Sequence, residues 1–228
     1  LEPFVLANYT GKSRDVATLA HELGHAIHTM LAKHHSILTF HAPLPLAETA
    51  SIFGEMLLSE KLLEKATDKI AKQDLLCYKL DDLYASIIRQ IYFIIFEQKA
   101  HEAIANGATV SELSKLYFSL LKEQFGKSVK VPKQFALEWT YIPHIYESPF
   151  YCYAYTFGNL LTLALFEMYK EQGQSFVPKY IELLASGGSK KPQDVLTPLG
   201  IDICSEEFWQ KGFKIIEKLV EELEEVSK

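Results

Sequence analysis

Cysteine is scarce in this chain. Its three copies, Cys77, Cys152 and Cys204, are odd in number and far apart. That excludes a disulfide framework and a C-x-x-C zinc site, and it fits reduced thiols in a cytoplasmic protein. Long hydrophobic runs are missing too. The strongest, from Leu83 to Phe96, is interrupted by Ser86, Arg89 and Gln90. It is too short to span a bilayer, so a buried helix is expected there and no membrane partner. Basic charge is also in short supply, with 23 Lys and Arg against 29 Asp and Glu, for a net charge of −6. Without a basic cluster, nucleic acid is excluded as a partner. No secretory signal is seen, although the chain begins with Leu1 rather than Met and a truncated start would hide one. There is no internal repeat. What remains is ordinary for a soluble globular piece: 48% hydrophobic and 23% charged residues over 228 positions, enough for one large core or two modest ones.

Against that background His21-Glu22-Leu23-Gly24-His25 stands out. No proline interrupts Arg14 to Lys33, and apolar residues recur at Val16, Leu19, Ala20, Leu23, Ala26, Ile27, Met30 and Leu31. This spacing predicts an amphipathic helix, buried except for its ligand face. His21 and His25 then lie one turn apart on one face, so two imidazole nitrogens can reach one metal ion. Glu22 is one residue round, placed to take a proton from water rather than to ligate. Burying two histidines and a glutamate on an apolar helix is costly unless a metal or hydrogen bonds engage them. Gly24 either relieves a tight spot or lets another backbone pass close to the helix.

A catalytic zinc site needs a third protein ligand and an open fourth position. A metzincin would require Gly at position 28 and His at position 31, and this chain has His28 and Leu31. The third ligand is expected at Glu48, 23 residues after His25, where prolines 43 and 45 end a loop and a helix runs from about Leu46 towards Glu64. A carboxylate opening a mostly apolar helix needs a reason. Glu55, seven residues on, shares the face of Glu48; it either hydrogen-bonds a ligand histidine or is a solvated carboxylate.

Elsewhere the chain reads as helical. Phe4–Tyr9 is expected as a short strand, and Ser36 to His41 as a second strand or an extended loop. A long helix is expected from about Thr67 to Ala105, stopped by Asn106-Gly107, and another from Ser111 as N-cap to Phe125. After a linker at Val129–Lys133 and a short helix through Trp139, Pro149 should open a helix from about Phe150 to Gln172. A helix near Phe176 to Ala185 and a terminal helix capped by Ser205 complete the set. The terminal stripe of Trp209, Phe213, Ile216, Val220 and Leu223 is expected in the core. His28, His34, His35, His41 and His101 read as structural or exposed. His144, Tyr146, Tyr151, Tyr153 and Tyr155 concentrate hydrogen-bond donors within twelve residues; on a helix Tyr151 and Tyr155 share a face and Tyr153 points elsewhere.

The stretch from Thr10-Gly11-Lys12-Ser13 into the histidine string, then Pro45-Leu46-Ala47-Glu48-Thr49-Ala50-Ser51-Ile52-Phe53-Gly54-Glu55, resembles the oligoendopeptidase F branch of the thimet oligopeptidase family. The segments Ile142-Pro143-His144-Ile145-Tyr146 and Pro149-Phe150-Tyr151-Cys152-Tyr153-Ala154-Tyr155 resemble that family's His/Tyr region. The likeness runs from about Asn8 to the C-terminal helix. It implies a mainly α, helical zincin catalytic domain with at most a short strand pair near the N-terminus, residues 1–228 being one domain cut from a longer enzyme. It also implies a zinc-dependent endopeptidase acting on short peptides, with one zinc ion on His21, His25 and Glu48 and with Glu22 as general base. By resemblance Tyr153 matches the tyrosine that hydrogen-bonds the scissile carbonyl and His144 its histidine; Tyr146 and Tyr151 stand as substitutes and substrate contacts. An inactive remnant or a zinc-containing binding module of the same fold is the alternative, and the oligomeric state is left open.

Overall fold

The computed structural model describes residues 2–228, and every regular element among them is a helix. They form two compact units, one made of the residues up to Leu83 with Phe157–Lys228, the other of Tyr84–Thr156. Among the described residues no helix is long and apolar enough to cross a membrane.

The first unit opens without regular structure. Phe4 and Leu6 are almost fully exposed and have no ladder partner, so the expected strand at Phe4–Tyr9 does not form. The chain enters α1, Ser13–Ala32, through a cap in which the Asp15 carboxylate accepts from the Thr10 hydroxyl and from the amides of Thr10 and Lys12. Ser36 to His41, expected as a second strand or an extended loop, is a run of turns and bends without a strand. Its Thr39 carbonyl accepts from the amide of Gly188, at 2.8 Å. Gly187 sits at φ 49° there, and a Cβ would lie 2.7 Å from that same oxygen.

One helix was expected around Glu48, and two are present: α2, Leu44–Ala47, and α3, Thr49–Lys65. Glu48 lies between them at φ −90°, ψ 1°, the sparsely allowed bridge region where many active-site residues sit. α3 packs on α1 through small residues on both sides. A Cβ on Gly24 would lie 2.5 Å from the Ala50 carbonyl oxygen and 2.5 Å from the Ser51 Cα. One on Gly54 would meet the Ala20 oxygen at 3.0 Å. Backbone therefore rests on backbone, and that closeness sets the distance from the histidine string to Glu48.

A first prediction follows from this contact. Gly24→Ala should gain about 1 kcal/mol in helix propensity but lose more to overpacking, typically about 1–3 kcal/mol and at the upper end where the obstacle is backbone. The net effect should be a lower melting temperature together with weaker metal binding, since α3 must move and carry Glu48 with it. A melting temperature at or above the parent value, with metal affinity intact, would show that the helices can separate freely.

The outer face of α1 departs from expectation. Gly24, His28 and Ala32 are buried, whereas Leu23, Ile27 and Met30 are roughly half exposed. The apolar stripe is real, but it is not this unit's core. The core lies instead among Phe53, Phe166, Leu161, Leu163 and Phe176, with the Phe53 ring stacked on Tyr180 at 4.4 Å and edge-on to Phe166 at 5.3 Å. Around it run α4, Lys69–Leu83, the part of α8, Tyr153–Gln172, from Phe157 onward, and α9, Val177–Ala185. Short α10, Pro192–Leu196, and the terminal α11, Glu206–Ser227, complete the unit. In α11 the buried face is Phe208, Gly212 and Ile215, one residue off the expected stripe, and Phe213 and Val220 are each 41% exposed. The reason is Gly212: a Cβ there would come within 2.9 Å of the Leu160 oxygen, so the helix makes its close approach at a residue that hydrophobic periodicity does not score.

In the second unit the expected long helix is interrupted. A π-helical turn, Tyr84–Ile88, precedes α5, Arg89–Ala105, and its start coincides with the boundary between the units. A π turn carries an extra residue and so rotates the apolar face that follows it. Helix α6, Val110–Phe125, is capped by Thr109 rather than Ser111, with Glu112 closing a capping box. A 3-10 segment, Lys133–Tyr141, and α7, Pro143–Glu147, follow. The core here is aromatic, with Phe96 edge-on to Tyr117 at 5.0 Å and tilted on Trp139 at 5.7 Å. The expected helix start at Pro149 is delayed to Tyr153 because Phe150 adopts φ 59°, outside the helical region. The buried Glu97 carboxylate holds it there, accepting from the Phe150 amide at 2.8 Å.

Candidate metal centre

His21 and His25 point from consecutive turns of α1 so that their Nε2 atoms lie 3.1 Å apart. Glu48 Oε2 closes the triangle at 3.3 Å from His21 and 3.2 Å from His25. For metal–ligand bonds of about 2.0–2.1 Å at a tetrahedral angle, ligand atoms should stand about 3.3 Å apart. Two imidazoles and one carboxylate therefore converge at a separation that suits zinc, and these are the only three metal-ligating side chains that do so among the described residues.

The side chains around the triangle fix its geometry. His21 donates from Nδ1 to Glu55 Oε1 at 2.6 Å, which leaves Nε2 free to face the cluster. Glu55 reaches it across the α1–α3 contact, so the hydrogen-bonding alternative is the one realised, although the helix break puts Glu48 and Glu55 in separate elements. Ser51 adds a partner that the sequence reading did not identify. Its hydroxyl donates to Glu48 Oε2 at 2.7 Å and to the Glu48 carbonyl at 2.9 Å, pinning the carboxylate against its own helix start. A serine three residues after a candidate ligand is the signal that could have found it. Glu22, half-buried beside His21, is engaged by no hydrogen bond or ion pair among the described residues.

Electrostatics follow this geometry. Burial opposes a proton on His21, but the carboxylates of Glu48 and Glu55 outweigh it and push the imidazole up to about 10. Hydrogen bonds from His21 and His25 hold the Glu48 carboxyl far below the usual carboxylate range, with burial pulling the other way. The cluster thus holds a positive charge between two carboxylates, a place a metal cation could take. His28 does not join it. It is buried, and burial followed by the neighbouring His25 keeps its imidazole below its ordinary value.

The His/Tyr segment lies in the second unit. His144 Nε2 is hydrogen-bonded to the Tyr155 hydroxyl at 3.2 Å and stacked on Tyr151 at 5.3 Å, and Tyr151 is edge-on to Tyr155. Tyr146 and Tyr153 stand apart from this trio and are 57% and 45% exposed. Their hydroxyls are therefore open to an incoming partner, whereas that of Tyr155 is already engaged.

Comparison with known proteins gives a consistent result. The model of a family described as Peptidase family M3 matches residues 2–215. An oligoendopeptidase F homologue of Borreliella burgdorferi is 35% identical over 99% of this chain, which spans 39% of that relative. The oligopeptidase PepF of Bacillus subtilis is 31% identical over 98% of the chain and is spanned to 34%. The crystal structure of oligoendopeptidase-F from Enterococcus faecium superimposes with a TM-score of 0.81 at 28% identity, covering 93% of this chain and 39% of that one.

Proposed function

Because the chain belongs to peptidase family M3, we propose that it carries the zinc centre of a metalloendopeptidase that hydrolyses short peptides, with His21, His25 and Glu48 holding one zinc ion. The observation that carries this reading is the triangle of Nε2, Nε2 and Oε2 atoms, 3.1 to 3.3 Å on a side, braced by Glu55 and Ser51. Peptides as substrates rest on the names of the relatives. Bound there, zinc supplies Lewis acidity that polarises a peptide carbonyl and makes water nucleophilic near neutral pH. Glu22, unengaged and next to a ligand, takes the proton from the attacking water and delivers it to the leaving amine. Tyr153, with His144, donates to the oxyanion that forms on the substrate carbonyl. The three free thiols fit a cytoplasmic setting.

The half-exposed Leu23, Ile27 and Met30 favour a second reading, in which the chain loads zinc but turns over little by itself because neighbouring structure is missing. Zinc content together with cleavage of a quenched peptide separates the two. Stoichiometric zinc with turnover supports the first reading, zinc without turnover the second, and no zinc refutes both.

The charge on His21 makes metal loading pH-dependent. With its imidazole near 10, His21 is protonated at neutral pH, and a ligand imidazole must be neutral. Zinc binding should therefore release about one proton from this residue, measurable by calorimetry in buffers of different ionisation enthalpy, and affinity should climb as pH rises. The sign for folding is opposite. A histidine raised above its unfolded value stabilises the metal-free chain below about pH 6.5, and that contribution is lost as pH rises through about 10. Metal-free protein should lose melting temperature across that window. Zinc-loaded protein should not.

Tyrosine choice is testable by Phe substitution, which leaves no cavity. Tyr153→Phe should lower kcat by about 10²–10³-fold, the usual effect of removing an oxyanion donor, with the melting temperature nearly unchanged because the side chain is half exposed. Tyr155→Phe should do the reverse, weakening the His144 contact and stability with little effect on rate. A rate defect confined to Tyr146→Phe or Tyr151→Phe would reassign the donor.

A further inference from the structure

We propose that a second cavity, bounded by α3, α4, α8 and α11 and separate from the metal cluster, binds an apolar carboxylate through the ammonium of Lys79. The cavity measures about 370 Å³, within the range of about 300–1,000 Å³ typical of ligand pockets. Its floor is apolar, built from Met56, Leu63, Phe166, Ile215 and Leu219.

Four lysines line it, and three are matched. Lys170 pairs with Glu60, Lys218 with Glu167 at 2.7 Å and Lys72 with Glu222 at 3.5 Å, while the fourth lining glutamate, Glu64, is held by Lys61 at 2.6 Å. Lys79 alone has no hydrogen bond or ion pair among the described residues, although only 5% of its surface is exposed. The one buried side-chain polar atom without a hydrogen-bond partner among the described residues is Gln90 Oε1, so the stem of Lys79 is buried while its ammonium stays accessible. Asp82, one turn along α4, feels its charge, but nothing bonds the two and burial keeps the Asp82 carboxyl above its ordinary range.

The ligand class follows from this arrangement. One unmatched positive charge calls for one negative charge. A phosphate dianion would bring excess charge against the four lining glutamates, and a polar tail would waste the floor. A monocarboxylate with a hydrocarbon body fits both, whether lipid-derived or an N-acylated apolar amino acid.

The test is calorimetric titration of the full chain with octanoate and with N-acetyl-leucine, using octanol as the uncharged control. At least one of the two carboxylates should bind at one equivalent, at least tenfold more tightly than octanol; the tighter of the two identifies the source. Lys79→Met should weaken that binding at least tenfold without lowering the melting temperature, because Met keeps the buried apolar stem and removes a charge that no hydrogen bond or ion pair engages. If Lys79→Met does not fold, Leu219→Trp decides instead, since it fills the cavity with Lys79 intact and should weaken binding equally. Absence of binding by both carboxylates would overturn the proposal. So would unchanged affinity in the variant, which would put the ligand on the apolar groove of Leu23, Ile27, Phe53 and Tyr180 instead.

Discussion

Glu22→Gln is expected to keep its zinc and to lose about 10²–10⁴-fold in turnover of a quenched peptide, the range general-base catalysis typically supplies. The substitution is nearly isosteric and removes only the ability to accept a proton. No neighbour depends on the carboxylate for a hydrogen bond, so neither the triangle nor the fold should respond. That makes the variant a clean probe. Its zinc content should match the parent, its stability should stay within about 0.5 kcal/mol of the parent's, and only the rate should fall. Loss of zinc in Glu22→Gln would instead make Glu22 a ligand or a support for one.

Much of this centre was legible in the sequence because the helix period forces it. Two histidines four apart on an unbroken periodic run must share a face, and a lone carboxylate at Glu48 among apolar neighbours asks for a partner. What was not legible depends on what lies across from a residue. The stripe of Leu19, Leu23, Ile27 and Met30 was correctly read as one face of α1, but periodicity cannot say whether anything covers that face, and here it is substantially exposed. The register of α11 slipped by one because close packing at Gly212 is set by the absence of a side chain. The break at Glu48 was hidden in the same way: the apolar pattern runs through it, while its backbone leaves the helix. A strand was expected at Phe4–Tyr9, and a strand or an extended loop at Ser36 to His41; strands need a ladder that only the folded chain could have supplied, and the loop is what forms. In the His/Tyr segment the expected pairing of Tyr151 with Tyr155, away from Tyr153, is present, but periodicity could not show that His144 packs on both rings or that the Phe150 turn on buried Glu97 delays the helix.

Glu48→Gln should abolish stoichiometric zinc binding. The carboxylate contributes the one formal negative charge among the three ligands, and a neutral amide oxygen is a much weaker donor to zinc. It should also destabilise the metal-free chain, because the same oxygen accepts from both histidines and from Ser51. The Glu48 carboxyl is held far below its ordinary value, so its contribution to folding is present above about pH 4.5 and lost only in strong acid. At neutral pH the Gln variant should therefore melt lower than the metal-free parent, a difference that should shrink on acidification. Glu55→Gln calibrates the result. It touches His21 from behind, so it should weaken zinc by about 10–100-fold, as removal of an orienting partner typically does, without preventing loading at high zinc concentration. Equal zinc content in Glu48→Gln and the parent, with a large loss in Glu55→Gln, would invert the two roles. The third ligand would then come from α3 rather than from the break that precedes it.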